Sequence, residues 1–450
     1  MSDARPNIVL MVSDDHGLHT GKYGYDSIRT PNLDRLASEG VRFTNAFCTT
    51  ASCAASRSVI LTGQQNHTNG TYGHTHGRHH FACFDDVQTL PALLNRAGYH
   101  TARVGKRHYA PMDIFPFQEG FPPTKFERDD VRMSEACREL VRTDRPFFLY
   151  WCSMNPHRGG GCIESHPCRP DRFGNPPKDY PDDSEETFRD AEVSVPPFLP
   201  DLPEVRAELA QYHQSVARLD RGIGRLVEIL KEEDRYDNTV LIYVSDNGMA
   251  FPGAKTNLYE PAMNLPLIVR SPLHSARDAT CDGLVTWADL TPTVLDFAGA
   301  LSDADPLHGR SFRRIIDEAS PSDWREEVFA SHTFHEITNY YPMRVVRRKR
   351  YKLIWNIAHA LTYSSASDLW RSATWQGALK AGLETYGRRP LEAYLHRPRF
   401  ELYDLQEDPD EVHNLASSAK HAGLLESLCE SLRGFQETTK DPWIHKWDYE

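Results

Sequence analysis

The stretch Asn7-Ile8-Val9-Leu10-Met11-Val12-Ser13-Asp14-Asp15 decides the architecture of this 450-residue chain. Its first six residues are almost all apolar, which is typical of a central strand buried on both faces. The apolar run stops at Ser13, and two aspartates follow at once. The stretch therefore predicts a buried parallel strand whose carboxyl end carries acidic side chains.

Three further strands have the same design, and helices are predicted between them. Each is a short apolar run that stops at a polar cluster: Thr101–Val104 before Gly105-Lys106-Arg107-His108, Phe147–Trp151 before Asn155-Pro156-His157, and Thr239–Val244 before Ser245-Asp246-Asn247-Gly248. Apolar residues at helical spacing predict helices over Thr30–Ser38 and Glu204–Lys231. Strands that alternate with helices indicate an α/β fold.

The polar clusters at the strand ends are candidate parts of one site. In open α/β sheets, binding sites form outside the carboxyl ends of the strands. We therefore expect the following side chains to meet in one crevice: Asp14, Asp15, Lys106, His108, His157, Asp246 and Asn247. A single cluster is equally typical of a solvated loop, so the repetition of the pattern favours a site.

Four of these residues are candidate metal ligands. Asp14, Asp15, Asp246 and Asn247 offer only oxygen donors, which suit Ca²⁺ or Mg²⁺ rather than zinc. Carboxylates brought this close together repel one another and need a cation. The alternative interpretation is that Asp246-Asn247-Gly248 forms only a turn.

Cys53 is a candidate nucleophile, because it stands just before a predicted helix in Cys53-Ala54-Ala55-Ser56-Arg57. A helix N-terminus stabilises anions and lowers the pKa of a thiol. Arg57 follows one turn later and could hold an anion. The alternative is a buried structural cysteine.

The C-terminal part has a different pattern. Met343–Ile354 alternates apolar and basic residues, and Phe400–Asp404 is another short run, as in antiparallel strands. We therefore predict a large domain over residues 1–337. A smaller C-terminal α+β domain over residues 338–450 is predicted to complete the substrate pocket. The stretch from Arg158 to Pro200 is rich in Pro, Gly and Asp, and predicts a long loop.

Composition and charge exclude several classes of protein. The formal net charge is −12 and no block of Lys and Arg forms a stripe, so nucleic acid is not an expected partner. The apolar runs are far too short to span a bilayer, so no membrane association is expected. The chain begins Met-Ser-Asp-Ala-Arg-Pro and enters a strand directly. We expect a cytoplasmic location, or a periplasmic one if an export signal has been removed.

The nine cysteines are scattered, and their odd number means that at least one is not in an intramolecular disulfide. Cys162 and Cys168 lie six residues apart in the predicted long loop. Without an oxidising compartment, we expect both to be free thiols.

The segment Cys53-Ala54-Ala55-Ser56-Arg57, with Leu61-Thr62-Gly63 downstream, resembles the maturation motif of the type I, formylglycine-dependent sulfatases. Further motifs resemble that family in the same order: Asn7-Ile8-Val9 before Asp14-Asp15, Thr30-Pro31-Asn32-Leu33-Asp34, Gly105-Lys106-Arg107-His108, Ser245-Asp246-Asn247-Gly248 and Glu401-Leu402-Tyr403-Asp404-Leu405. The resemblance covers essentially the whole chain. It implies an alkaline-phosphatase/sulfatase-like large mixed sheet flanked by helices, with residues 1–337 as the catalytic domain, and a smaller C-terminal domain with an antiparallel sheet.

The resemblance also implies a mechanism. Cys53 would be oxidised to formylglycine, whose hydrate attacks the sulfur of a sulfate group next to a cation held by the four oxygen ligands and by residue 53 itself. Arg57 would hold the hydrate, and Lys106 and Lys255 would bind the sulfate oxygens. His108 would assist the second hydroxyl, and His157 would protonate the leaving group as a general acid.

Within the sulfatases, the chain most resembles the heparan N-sulfatases, or sulfamidases. The resemblance is carried by Tyr72-Gly73-His74, His79-His80-Phe81, Thr256-Asn257-Leu258-Tyr259, His335-Glu336 and Tyr341-Pro342-Met343-Arg344. It implies a sulfated mono- or oligosaccharide substrate, with N-sulfoglucosamine favoured. It also implies that His335 and Glu336 contact the sugar, although a polar contact between domains would explain this pair equally well.

Three positions depart from the sulfamidase pattern. Ala55 replaces a proline, and since radical-type anaerobic maturases accept alanine there, we expect such a maturase as a partner. Asn155 and Lys255 stand where the pattern has Asp and Arg, at positions that face the substrate. The alternatives are therefore an O-sulfatase for another polysaccharide, a phosphodiesterase or phosphonate monoester hydrolase, and a non-catalytic carbohydrate-binding protein whose Cys53 is never converted.

Overall fold

The computed structural model describes residues 5–25, 27–122, 125–126, 128–159, 171–175, 188–303 and 306–449. Within these residues the strands are β1 Asn7–Ser13, β2 Val41–Phe43, β3 Ala46–Phe47, β4 His100–Gly105, β5 Glu119–Phe121, β6 Phe147–Cys152, β7 Thr239–Ser245, β8 Leu267–Arg270, β9 Ala279–Cys281, β10 Val285–Thr286, β11 Glu327–Phe334, β12 Tyr340–Arg348, β13 Tyr351–Asn356, β14 Thr385–Tyr386, β15 Arg389–Pro390 and β16 Phe400–Asp404.

The α-helices lie between these strands and after them. They are α1 Pro31–Ser38, α2 Cys53–Thr62, α3 Asn66–Asn69, α4 Leu90–Arg96, α5 Asp130–Val141, α6 Pro203–Glu232, α7 Glu260–Met263, α8 Leu290–Phe297, α9 Ser367–Trp370, α10 Ala373–Ala381, α11 Leu391–Leu395, α12 Ala422–Thr439 and α13 Lys446–Tyr449. The predicted strands correspond to β1, β4, β6 and β7, and the predicted helices correspond to α1 and α6, so these predictions are confirmed.

A mixed eight-stranded sheet forms the body of the molecule, in the order β5-β4-β6-β1-β7-β8-β2-β9. Strands β4, β6, β1 and β7 are neighbours and run parallel. Strand β8 is antiparallel to both of its neighbours, β7 and β2, which makes the sheet mixed. The carboxyl ends of the four central parallel strands therefore lie at one edge of the sheet.

The central strand β1 is buried on both faces, as its apolar run predicts. Ile8, Leu10 and Val12 belong to one hydrophobic cluster, with residues of α2, α4 and α8. Val9 and Met11 belong to a second cluster on the opposite face, with residues of α1, α5 and α6. The sheet is thus a middle layer between two layers of helices.

A four-stranded antiparallel sheet, β11-β12-β13-β16, forms the second layered unit, and α12 packs on it. The predicted strand pattern at Met343–Ile354 is the hairpin of β12 and β13. The first strand, β11, begins at Glu327 and so precedes residue 338, where we expected the smaller domain to start. Apolar residues of β11 and β12 also join the same cluster as Ile8 and Leu10. The division into two domains stays a prediction.

Two further expectations concern the cysteines and the membrane. Seven cysteines fall in the described residues, and all of them are free thiols. Cys162 and Cys168, with most of the predicted long loop, lie outside the described residues. In the part of the chain that the structure describes, no helix combines the length and the apolar character needed to cross a bilayer.

Gly105 is the last residue of β4, and its close packing predicts how a substitution there would change the free energy of unfolding. Its φ is +81°, and a Cβ atom added there would lie 2.0 Å from the carbonyl oxygen of Cys152. The next residue, Lys106, donates its backbone N–H to that same oxygen at 2.8 Å. The Gly105→Ala substitution should therefore lower the free energy of unfolding and displace Lys106.

Gly24→Ala is the matched control, because Gly24 has a φ of +90° but no atom within 4 Å of an added Cβ. We expect backbone strain of about 1–2 kcal/mol in both variants. The clash should cost Gly105→Ala about 1–3 kcal/mol more. Thermal and urea unfolding measure the difference, and equal destabilisation of the two variants would contradict the close contact.

Candidate active site

Strand register brings the predicted polar residues together. Strands β1 and β7 are aligned so that Ser13 lies opposite Ser245. Strands β4 and β6 are aligned so that Gly105 lies opposite Cys152. The residues that follow Ser13, Ser245 and Gly105 are Asp14, Asp246 and Lys106, and they leave the sheet at the same edge. The convergence predicted from the strand ends is therefore confirmed.

The acidic residues form one connected, fully buried cluster. The backbone N–H of Asp15 donates to Oδ1 of Asp246 at 3.0 Å. Nδ2 of Asn247 donates to Oδ1 of Asp15 at 2.7 Å. Asp246 and Asn247 are thus part of the acidic cluster.

Three basic side chains surround this cluster. Nε of Arg57 donates to Oδ2 of Asp246 at 2.9 Å. Nζ of Lys106 pairs with Oδ2 of Asp14, and Nζ of Lys255 pairs with Oδ2 of Asp15 at 3.0 Å. Lys255 is fully buried, so the solvated position that is usual for a lysine in a loop does not apply to it.

The pKa values of the buried carboxyl groups shift in opposite directions. Burial alone would raise the pKa of Asp14, but Lys106, His157 and Arg57 outweigh it and hold the pKa well below its usual range. Burial, followed by the charge of Asp14, raises the pKa of Asp246 to about 7. The basic side chains therefore do not fully compensate the cluster, and a cation would relieve the remaining repulsion.

Two oxygens of the cluster fit a metal ion. Oδ1 of Asp14 and Oδ1 of Asn247 are buried and have no hydrogen-bond partner among the described residues. Donor atoms of Asp14, Asp15, Cys53 and His157 lie within 4.8 Å of one another. The carboxylate oxygens of Asp14 and Asp15 are hard donors of the kind that suits Ca²⁺ or Mg²⁺. The residues present therefore fit a metal centre.

Cys53 is the first residue of helix α2, and its Sγ lies 3.6 Å from Oδ1 of Asp15. We expected the helix N-terminus to lower the pKa of this thiol, and that prediction is wrong. Burial, the largest influence, raises the pKa well above its ordinary value, and Asp15 and Asp14 raise it further against Lys106 and Lys255. An unmodified Cys53 is therefore a neutral thiol and a poor nucleophile at neutral pH.

The two predicted proton-transfer histidines flank the cluster. Nδ1 of His157 lies 2.6 Å from Oδ2 of Asp15, which leaves Nε2 for a substrate. Burial lowers the pKa of His157, although Asp14 and Asp15 oppose this shift. Nε2 of His108 lies 3.0 Å from Nδ1 of His76. Burial and then Lys106 lower the pKa of His108, so its ring is neutral at neutral pH.

Asn155 does not reach the pocket, which corrects the prediction that it faces the substrate. Its side chain is fully buried, and Nδ2 donates to Oδ2 of Asp130 and to the carbonyl of Arg128, each at 2.9 Å. Its Oδ1 accepts from Ser215 and Arg218, each at 3.1 Å. Asn155 therefore holds the loop before His157 in place.

An open pocket of about 590 Å³ leads to this centre. Residues from both parts of the chain line it: His74, His76, Lys106, His108, His157, Lys255, His335, Glu336 and Asp368. His335 and Glu336 are therefore at the pocket, and their contact with a sugar stays a prediction. Nδ1 of His335 lies 2.9 Å from Oγ of Ser52, and Oε2 of Glu336 accepts the backbone N–H of Ser367 at 3.2 Å. Both residues also serve as structural polar contacts.

Asp368, His74 and His76 are among the lining residues that sequence reasoning missed. Asp368 pairs with Nζ of Lys255 at 3.1 Å, across 113 positions of sequence, and no local pattern marks it. His74 and His76 belong to a histidine-rich segment, Tyr72–Phe81, and its composition was a signal that could have found them.

The chain is similar in sequence to known proteins over nearly its whole length. Residues 6–300 match the family model described as Sulfatase. The chain belongs to the sulfatase family. Residues 254–369 also match the model described as N-sulphoglucosamine sulphohydrolase, C-terminal. The predicted family and enzyme class are confirmed, and the match over residues 254–369 takes in β11, β12 and β13.

Individual sulfatases align over nearly the whole chain. N-sulphoglucosamine sulphohydrolase of Homo sapiens is 37% identical, covering 98% of this chain and 92% of that protein. An ulvan-active sulfatase of Formosa agariphila is 27% identical, covering 97% and 81%. N-acetylglucosamine-6-O-sulfatase of Bacteroides thetaiotaomicron is 26% identical, covering 97% and 87%.

Solved structures confirm the predicted sulfatase-like fold. One, in complex with its substrate D-glucosamine-2-N,6-O-disulfate, has a TM-score of 0.71 at 23% identity and covers 97% of this chain and 98% of that one. The phosphonate monoester hydrolase of Agrobacterium radiobacter has a TM-score of 0.68 at 18% identity, covering 97% and 96%. The fold alone therefore does not separate sulfatases from this hydrolase.

The carboxylate cluster predicts that Ca²⁺ stabilises the sulfatase through Asp14. A ligand present at 100 times its Kd stabilises the folded state by about 2.7 kcal/mol. Asp14→Asn keeps an oxygen for Lys106 and replaces Oδ1, which accepts no hydrogen bond among the described residues, by an NH₂ group, which cannot bind a cation. We expect Ca²⁺ to raise the unfolding temperature of the metal-free wild type but not that of Asp14→Asn.

The control is Asp278→Asn, which removes an exposed carboxylate that pairs with Lys22 at 2.7 Å. This variant should keep the full response to Ca²⁺ in differential scanning fluorimetry. An undiminished response in Asp14→Asn, or a lost response in Asp278→Asn, would show that the cation binds elsewhere.

Proposed function

We propose that this protein is a formylglycine-dependent sulfatase that removes the N-sulfate group of glucosamine at the end of a heparan-type saccharide. The observation that carries the proposal is the position of Cys53, which is buried beside Asp15. Asp15 in turn contacts His157 and Lys255, which line the pocket together with Lys106 and His108. As a neutral thiol, Cys53 is unsuited to nucleophilic attack, whereas its hydrated aldehyde would present hydroxyl groups at the same place.

The chain's own residues account for charge and proton transfer. A cation held by Asp14, Asp15, Asp246 and Asn247 would supply Lewis-acid polarisation of a sulfate oxygen and of a hydroxyl on residue 53. Lys106 and Lys255 favour negative charge at residue 53, so they are placed to stabilise the charge that develops on the sulfuryl group.

Proton transfer falls to the two histidines. Nδ1 of His157 faces Asp15, so in the protonated ring the Nε2 proton is the one placed to pass to the departing amine nitrogen. His108 is neutral and lines the same pocket, so it is placed to accept a proton from residue 53. Arg57 contacts Asp246, and we propose that it holds the acidic cluster and the hydrate together.

The choice of substrate rests on the relatives and on the pocket. N-sulphoglucosamine sulphohydrolase of Homo sapiens aligns over 98% of this chain, and the C-terminal family match includes His335, Glu336 and Asp368. These three residues line the pocket above the centre. Their imidazole and carboxylate groups suit the hydroxyl groups of a sugar.

Maturation is a further part of the proposal. Cys53 is fully buried in the folded chain, so we propose that a maturase converts it before folding is complete. Ala55 at the third position of the motif favours a maturase of the radical type. The cytoplasmic or periplasmic location stays a prediction.

Sulfate release tests the substrate directly. Ion chromatography should detect sulfate from glucosamine N-sulfate, with much less from glucosamine 6-O-sulfate and no turnover of a nitrophenyl phosphate diester. Release from the 6-O-sulfate alone would contradict the proposed substrate. Turnover of the phosphate diester alone would contradict the sulfatase assignment for this chain.

Lys255 provides a prediction for catalysis. Lys255→Met removes the charge but keeps most of the side-chain volume, and we expect kcat to fall by about 100-fold or more. Lys255→Arg should recover part of this loss, because it restores a cation beside Asp15 and Asp368. Lys22→Met, at a partly exposed lysine that pairs with Asp278, should leave kcat unchanged. An unchanged kcat in folded Lys255→Met would contradict the role of Lys255.

A further inference from the structure

Three histidines cluster at the mouth of the pocket, apart from the carboxylate centre. His74 and His76 come from the histidine-rich segment, and His108 comes from the loop after β4. One ring nitrogen from each lies within 4.8 Å of the corresponding atoms of the other two. The ring centroids are 4.8 to 5.0 Å apart in all three pairs. Three imidazoles thus face one small volume.

Several nitrogens of the cluster lack an ordinary role in the fold. Nδ1 of His74 and Nδ1 of His108 are buried and have no hydrogen-bond partner within the described part of the chain. Nδ1 of His76 and Nε2 of His108 lie 3.0 Å apart, so one neutral ring donates to the other. Buried nitrogens of this kind cost free energy unless water or a ligand engages them.

Two neighbouring histidines, His79 and His335, already make contacts with other parts of the fold. Nδ1 of His79 accepts the backbone N–H of Ile337 at 3.0 Å. Nδ1 of His335 lies 2.9 Å from Oγ of Ser52. His335 also packs against His74, with ring centroids 4.0 Å apart. His79 and His335 thus pack beside the cluster, and His74, His76 and His108 remain as the candidate ligands.

The charge state of the cluster suits a metal. Burial, as the largest cause, lowers the pKa of His74 to about 2. Burial is also the largest cause of the lowered pKa of His76 and of His108. Neutral imidazole is the form that binds metals, so binding would displace no proton from these rings near pH 7. The nearby Lys106 and Lys255 are paired with carboxylates, which reduces their repulsion of a cation.

We propose that His74, His76 and His108 form a binding site for a transition-metal ion, with Zn²⁺ as the ion that best fits. Three histidines with one open position are a set that Zn²⁺ adopts, whereas Ca²⁺ and Mg²⁺ prefer oxygen. A tetrahedral centre needs the nitrogens about 3.3 Å apart, so the ligands must shift slightly. His76 is exposed, so no packed core restrains its side chain.

Occupation of this site would inhibit the enzyme. A metal on His108 would remove that ring from proton transfer and would stand in the path of the substrate. This consequence rests on the proposed function, whereas the binding site itself does not. The chain would then carry two different metal centres: one of oxygen ligands that supports the reaction and one of nitrogen ligands that stops it.

The test is a titration of the purified full-length protein with ZnCl₂ in the presence of excess Ca²⁺. Isothermal titration calorimetry measures the binding. Replacement of Zn²⁺ by Co²⁺ adds the visible absorption of a four-coordinate nitrogen site as a second readout. His76→Asn removes an exposed ligand. His80→Asn is the matched control, since His80 is exposed in the same segment and lies outside the cluster.

We expect one Zn²⁺ per chain, binding weakened at least about tenfold in His76→Asn, and unchanged binding in His80→Asn. Sulfatase activity of the wild type should fall as the site fills and return when a Zn²⁺-selective chelator is added. Absence of Zn²⁺ binding, or equal binding in His76→Asn and His80→Asn, would overturn the proposal. Because binding is measured without substrate, an inactive protein that binds Zn²⁺ through His76 would overturn only the proposed function.

Discussion

Three buried carboxylates, Asp14, Asp15 and Asp246, lie at the ends of two adjacent strands, and the rest of the site is arranged around their repulsion. A cluster of this kind is stable only when opposite charge or protons compensate it. Arg57, Lys106 and Lys255 supply part of the compensation by direct ion pairs. Burial, followed by the charge of Asp14, raises the pKa of Asp246, and a cation would add to the compensation.

The same constraint explains how an acidic protein handles an anionic substrate. The formal net charge of the chain is −12, yet two lysines, Lys106 and Lys255, line the pocket that leads to the acidic cluster. A metal ion would turn that pocket into a local positive region inside a negative molecule. A long-range attraction for a highly charged polymer is not expected from such a distribution, which favours recognition of a short, accessible chain end.

Much of this site could be predicted from the sequence, because strand ends are local features. An apolar run such as Asn7–Val12 predicts a buried strand, and the polar residues after it then mark the edge of the sheet. The effects of distant packing could not be predicted. Burial outweighs the helix N-terminus at Cys53, and four separate partners occupy the amide of Asn155. Asp368 reaches Lys255 only through the fold, and β11 joins the antiparallel sheet from before residue 338.

The chemical state of residue 53 decides the account, since a neutral buried thiol cannot carry out the proposed reaction. Mass spectrometry of the peptide that spans Ala51 to Arg57, from protein made in its natural host, measures that state directly. Conversion of Cys53 to formylglycine predicts a mass about 18 Da below that of the thiol peptide. A peptide that carries only the unmodified thiol, in protein that releases sulfate, would contradict the central claim.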